Sequence, residues 1–452
     1  MRVLGELLSR MTDKNKRSSL IKKNIIASFI IKGWSAMIQF LLVPLTLSCL
    51  GEYENGIWLT ISSVLLWINN LDIGLGNGLR NKLAIYMARG NIEKAREMVS
   101  STFAMLILII IPVSAVLLLT EFYGDCYGMF NVESNTFNNL ENVLYVTTVL
   151  VSSTFVFKFI GNFYMGLQLP AINNLLGATG STLVLLGTYC AYITGHHSML
   201  IIAFINTASP LLVYLICYPI TFYGKYKILK PSIRYVKKSS VCELFSIGFK
   251  FFALQIPGVL LFFTSNIIIS KLFTPALVTP YQIAYRYFVT TMTLFTIICV
   301  PYWTATTDAY EKKDFSWIKR ANKTLDKFVT LLFLIIVVMI ACSGFVYDIW
   351  IGQKSTVPFT MTVIAGIYQF LILYSMRYSF ILNGIGALRL QLILTVTASV
   401  IYIPAAVIIG HITHDINYLL VVMCAVQVPG LVVNIIQYYK IVNQKAKGIW
   451  IK

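Results

Sequence analysis

Apolar runs of 20 residues or more recur from the first fifty residues to the last. That feature constrains the chain more than any other. A helix needs about 20 apolar residues to cross roughly 30 Å of hydrocarbon. Lipid offers backbone groups no hydrogen-bond partners, so each run must satisfy its own amides as a helix. Candidate spans are 24–50, 55–79, 98–120, 142–168, 171–194, 199–224, 243–270, 278–308, 326–346, 359–384, 388–410 and 418–440. The expected fold is an all-α polytopic membrane protein of about twelve transmembrane helices. Composition agrees: 57% of the 452 residues are hydrophobic and 12% are charged, about half the globular share of charge.

The net charge of +18 is not a nucleic-acid signature, because its distribution follows the spans. With the N-terminus placed inside, 29 of the 36 basic residues fall in cytosolic segments and only Lys271 and Lys354 fall outside. Orientation is written in such a bias. The expected layout is a basic cytosolic N-terminus (1–23), a six-helix bundle (24–224), a basic cytosolic linker (225–242), a second six-helix bundle (243–440) and a cytosolic tail (441–452). The first apolar run is too long for the core of a signal peptide, so it reads as a retained span.

Chemistry-bearing motifs are absent. There is no G-x-x-x-x-G-K-[ST] loop, no H-E-x-x-H and no G-x-S-x-G. The eight cysteines are scattered singly, and His196-His197 and His411-x-x-His414 fall at helix ends. The expectation is therefore no enzyme, no cofactor and no metal. Energy for directional movement would come from an ion gradient or from consumption of the product.

Five cations lie inside the spans: Lys32, Lys158, Lys250, Arg286 and Arg377. Ionisable groups there normally face a water-filled cavity or a partner. Lys32 is about 12 Å into its helix and Lys158 about 15 Å, at 1.5 Å per residue. Arg286 sits towards the outer end of its span, where its charge cannot snorkel to the cytosolic face. Lys250 and Arg377 are shallower, and for them snorkelling competes with a cavity role. Near-membrane acids are few, Asp72 and Asp308. A cationic cavity draws phosphates and acidic sugars, since arginine grips phosphate with two parallel bonds. Amides at Asn69, Asn70, Gln255, Asn266, Gln282, Gln369 and Asn383 suit sugar hydroxyls or helix–helix bonding equally. Pro44 and Pro257 are candidate bends.

The first hundred residues carry a specific pattern: Leu50-Gly51-x-Tyr53-x-x-Gly56-Ile57-Trp58, then Asp72-Ile73-Gly74-Leu75-Gly76-Asn77-Gly78-Leu79-Arg80-Asn81-Lys82. It resembles the bacterial polysaccharide repeat-unit transporters, the O-antigen flippases of the multidrug/oligosaccharidyl-lipid/polysaccharide (MOP) superfamily. Locally, Gly74, Gly76 and Gly78 interrupt the helix and permit close backbone approach, with Asp72 and Arg80 as a possible latch. The resemblance implies a MATE-like pair of six-helix bundles around a central cavity in the bacterial inner membrane. It also implies translocation of undecaprenyl-diphosphate-linked oligosaccharide by alternating access. The implied partners are the lipid-linked anionic oligosaccharide, membrane lipids, and a polysaccharide polymerase and chain-length proteins. The alternatives are a multidrug or small-anion exporter of the same superfamily and a membrane enzyme of polysaccharide assembly.

Overall fold

The computed structural model describes residues 14–70, 72, 74–132, 139–245 and 264–451. Among these the chain is helical and contains no strand. It separates into two compact units, Met1–Gln255 and Ile256–Lys452.

The first unit contains α1 (Lys14–Asn70), α2 (Leu75–Ala88), α3 (Ile92–Tyr123), α4 (Leu140–Phe157), α5 (Phe159–Gly166), α6 (Pro170–Ile193) and α7 (Met199–Pro219). A straight helix of the length of α1 would extend about 85 Å, far beyond a bilayer. It is broken at Gly51, where φ is 68° and ψ −179°, the short turn expected between the first two spans. The predicted second span, 55–79, ends earlier than expected. The helix stops at Asn70, Gly74 adopts a left-handed φ of 71°, and α2 starts at Leu75. The stretch between the predicted spans 55–79 and 98–120 is therefore partly helical, since α2 continues to Ala88. Leu75, Leu79, Leu83 and Met87 recur every four residues and bury one face, while Arg80 stays exposed.

α4 and α5 form one predicted span with a local break at Lys158. A tight turn then leads to α6, with Gln168 at φ 62° and Pro170 in the first helical turn. Phe103, Phe159, Phe163, Tyr218 and Phe222 pack as a continuous aromatic cluster between α3, α5, α7 and the segment that follows α7.

The second unit contains a helical segment at 264–272, then α8 (Val278–Glu311), α9 (Phe315–Ala341), α10 (Phe359–Ile385), α11 (Arg389–Thr413) and α12 (Ile416–Val442). Among the described residues nine helical stretches are long and apolar enough to span a membrane, and one of them, Ile30–Leu65, holds both legs of α1. α8 adds a further 34-residue helix. The predicted span 243–270 lies mostly outside the described residues. This is the expected polytopic all-α architecture of about twelve spans.

Polar residues inside the spans are largely satisfied by their own helices. Thr60, Thr102, Thr147 and Thr207 each return a hydroxyl bond to the carbonyl four residues earlier. Ser48 does the same to the carbonyl of Pro44, within the kink-prone part of α1. Large apolar side chains such as Leu108, Ile111, Val116 and Leu119 remain exposed along α3, as expected of a face that meets lipid.

Candidate functional site

The glycine motif is a helix start built against two neighbours. The Asp72 carboxylate accepts hydrogen bonds from the amides of Gly74 (3.0 Å) and Gly76 (3.2 Å). It thus satisfies donors that the first turn of α2 would leave unpaired. A Cβ on Gly76 would fall 2.0 Å from Asn162 Nδ2 on α5, and one on Gly78 would fall 2.9 Å from the carbonyl oxygen of Leu244. Glycine at both positions therefore admits close packing. The latch suggested between Asp72 and Arg80 is not formed: Asp72 turns to the amides and lies in electrostatic range of Lys158. Arg80 is exposed.

The structure separates the five cations read from the sequence. Lys32 is exposed on α1, and no described residue pairs with it. Lys158 is exposed at the α4–α5 break, opposite Asp72. Arg286 is half-buried on α8, and no described acid pairs with it. Lys250 lies outside the described residues. Arg377 differs from the rest: it is 3% exposed, ion-paired to Asp326 of α9, and bonded to the Tyr378 hydroxyl. Its guanidinium also sits over the rings of Tyr374 (4.5 Å) and Tyr378 (4.4 Å). That environment neutralises Arg377 and ties α9 to α10, so it is not available as a free cavity cation.

Three acids escaped the sequence reading because they fall at span boundaries. Glu97 is buried in α3 and pairs with Lys94 (2.8 Å) and with Lys237, while Ser240 donates to it at 3.3 Å. Glu243 pairs with Lys82 and accepts from the Tyr86 hydroxyl (2.9 Å). Asp326 holds Arg377. The basic 225–242 segment is accordingly no free linker but is docked on the first unit. Ser100 accepts from the amide of Ser232, Arg96 donates to the Lys230 carbonyl, and the Arg96 guanidinium lies 4.1 Å from the Tyr235 ring centroid. The spacing of i and i+3 made Lys94–Glu97 legible in principle; Lys237 is 140 residues away. At the other end of α3, Glu121 accepts from Thr148 (2.6 Å), and no described base pairs with it.

The amides divide as well. Gln282 donates to Asn266 (2.7 Å) and Gln369 to Thr291 (3.4 Å), all buried between helices. These are helix–helix bonds. Gln255 and Pro257 lie outside the described residues, as do the side chains of Asn69, Asn70 and Asp308.

No protein-family model matches the chain. Over 370 residues, 78% of this chain and 81% of the relative, it is 21% identical to a curated protein of Yersinia pseudotuberculosis named "Putative O-antigen export protein". Among solved structures it is similar to an inward-facing multidrug resistance MATE family transporter of the MOP superfamily. That likeness has a TM-score of 0.77 at 14% identity and covers 94% of this chain and 100% of that one. The outward-facing form of a transporter so described gives 0.64 at 14% identity over 98% of each chain. A MATE in complex with MaD3S gives 0.67 at 14% identity, over 97% of this chain and 98% of that one. These likenesses bear out the MATE-like fold and the resemblance read in the first hundred residues.

Proposed function

We propose that this chain is a multi-pass transporter, not an enzyme, that flips undecaprenyl-diphosphate-linked oligosaccharide repeat units of O-antigen, capsule or exopolysaccharide across the bacterial inner membrane. Both termini are cytosolic in this reading, and movement is by alternating access. The name of the curated relative supports export of a surface glycan. A polysaccharide polymerase and chain-length proteins would take up the delivered unit.

The observation that carries the reading is how charge is matched. The acids Asp72, Glu97, Glu243 and Asp326 each face a base. Lys32 and Arg286 face no described acid, and Lys158 remains exposed beside its one partner. Surplus positive charge inside spans is costly unless an anion visits it. In the proposed mechanism Lys32 and Lys158 of the first unit and Arg286 of the second attract the diphosphate and any acidic sugars. The polyprenyl tail stays in lipid.

A multidrug or small-anion exporter is the second reading, favoured by the names of the solved neighbours. A cationic drug would need an acid without a base, and Glu121, half-buried in α3 with no described base beside it, offers one. A leaflet-resolved assay of undecaprenyl-diphosphate oligosaccharide decides between them. Accumulation of the glycan on the cytosolic leaflet when the protein is removed is the expected result. Unchanged delivery in cells lacking any redundant transporter refutes the flippase reading.

A further inference from the structure

In the first unit, α7 and the helical turn that follows it, Ile220–Lys225, carry one exposed apolar row that ends under a cation. Leu212, Ile216, Ile220 and Tyr223 recur every three or four residues, the spacing of one helix face, and all are exposed. They belong to Met199–Lys225, a stretch long and apolar enough to span a membrane, so the row faces lipid. Tyr223, 63% exposed, is its last member. A tyrosine at a span end sits at headgroup level, its ring towards hydrocarbon and its hydroxyl towards water. Helical geometry stops at Gly224 (φ −95°, ψ −120°), and a short turn, Lys227–Leu229, follows. Beyond it the Lys230 ammonium lies 3.8 Å from the centroid of the Tyr223 ring.

The backbone of Lys230 is pinned on both sides. Its carbonyl accepts from Arg96 Nε at 3.1 Å, and the amide of Ser232 donates to Ser100 Oγ at 3.1 Å, so α3 holds the chain there. Leu229, just before it, is fully buried. A cation over an aromatic ring is attracted by the ring face alone, and an ammonium has three donors. Lys230 is therefore fixed in place with protons left to give to an anion. Lys225, Lys227 and Arg234 are exposed within five residues of it along the chain.

An apolar row leading to a fixed cation at headgroup level matches a molecule with acyl chains below and an anion above. We propose that Lys230, seated over Tyr223, binds the headgroup phosphate of an anionic phospholipid of the surrounding bilayer. The acyl chains would lie along Leu212, Ile216 and Ile220. Lys225, Lys227 and Arg234 supply the field that favours an anionic over a zwitterionic headgroup, since basic residues beside a membrane surface each add attraction to anionic lipid. Because Lys230 is preorganised, little side-chain freedom is lost on binding. The bound lipid would clamp the 225–238 segment onto the first unit, whichever substrate the transporter carries.

The test titrates the detergent-solubilised full chain with phosphatidylglycerol, phosphatidylcholine, undecaprenyl diphosphate and inorganic phosphate, and reads the melting temperature. Phosphatidylglycerol is expected to raise it at concentrations where phosphatidylcholine and inorganic phosphate do not. Its apparent affinity should fall about fivefold in Lys230→Gln, the loss of one basic residue at the surface, and recover in Lys230→Arg. Lys319→Gln, which removes an exposed lysine of the second unit, should bind as the wild type does. Tyr223→Leu keeps the apolar row without the ring and should also weaken binding. Should Lys230→Gln by itself free the segment, seen as faster tryptic cleavage at Arg234 without lipid, Tyr223→Leu decides alone. Undiminished affinity in the deciding variant overturns the proposal, and an equal loss in Lys319→Gln does so by marking general attraction to charge. An equal response to phosphatidylcholine or inorganic phosphate overturns it too. So does a wild type that responds to undecaprenyl diphosphate but not to phosphatidylglycerol, a result that leaves the flippase reading standing.

Discussion

Removing either half of the Arg377–Asp326 pair deletes the same ion pair, yet the two deletions have unequal consequences. Arg377 is 3% exposed and Asp326 54% exposed. Asp326→Ala leaves a buried guanidinium without its carboxylate, a change that costs about 3–5 kcal/mol. Arg377→Met leaves a half-exposed carboxylate that water can solvate. What is lost there is a weak, partly exposed ion pair and the stacking over Tyr374 and Tyr378, together about 1–2 kcal/mol. In a unit of this size each kcal/mol moves the melting temperature by about 2–4 °C. The expected losses are therefore roughly 6 °C or more for Asp326→Ala and roughly 2–8 °C for Arg377→Met. The double variant should resemble Arg377→Met, because the uncompensated charge is gone, and the cycle should return a coupling as large as the Asp326→Ala loss, about 3–5 kcal/mol. Thermal unfolding of the purified protein, read by loss of its monodisperse chromatographic peak, measures all four forms. A larger loss for Arg377→Met than for Asp326→Ala refutes the argument. Loss of transport by Arg377→Met at unchanged stability would return Arg377 to the substrate path.

Charge reversal at Lys32 or Arg286 should abolish glycan delivery while membrane abundance stays at the wild-type level; equal loss of abundance would assign those residues to folding. Glu97→Gln removes the charge that pairs with Lys94 and Lys237, at about 1–2 kcal/mol, and should accelerate tryptic cleavage at Lys225, Lys227 and Arg234. An unchanged digestion rate would show that the 225–242 segment is held by other contacts. Gly78→Ala drives a methyl into the Leu244 carbonyl and should cost about 1–3 kcal/mol, measured as lowered thermal stability; no change would mean that this approach relaxes freely. Glu121→Gln should leave glycan delivery intact, and loss of resistance to a cationic drug in that variant would favour the exporter reading.

Much of this protein was decided by local sequence. Run lengths of apolar residues, set against the thickness of hydrocarbon, gave the span number. Gly51 and Pro170 stand at run ends and break the helix locally, because a left-handed φ or a missing amide donor acts wherever the rest of the chain lies. The glycine motif was legible as a helix interruption for the same reason. Which charges pair was not legible, since pairing depends on residues that come together across distant helices. Asp72 looked free to latch Arg80 eight residues on, yet its oxygens went to the nearest unpaired amides and its field to Lys158. Arg377 looked like a cavity cation until Asp326, on another helix, was found against it. Glu97 stood at a span boundary, and its pairing with Lys237 was illegible because the two are 140 residues apart. Sequence alone determined that the chain lives in lipid as a bundle of helices with surplus positive charge, because those are properties of composition and spacing. Tertiary structure decided which of those charges are neutralised and which meet no acid among the described residues, because that depends on what each side chain meets once the helices pack.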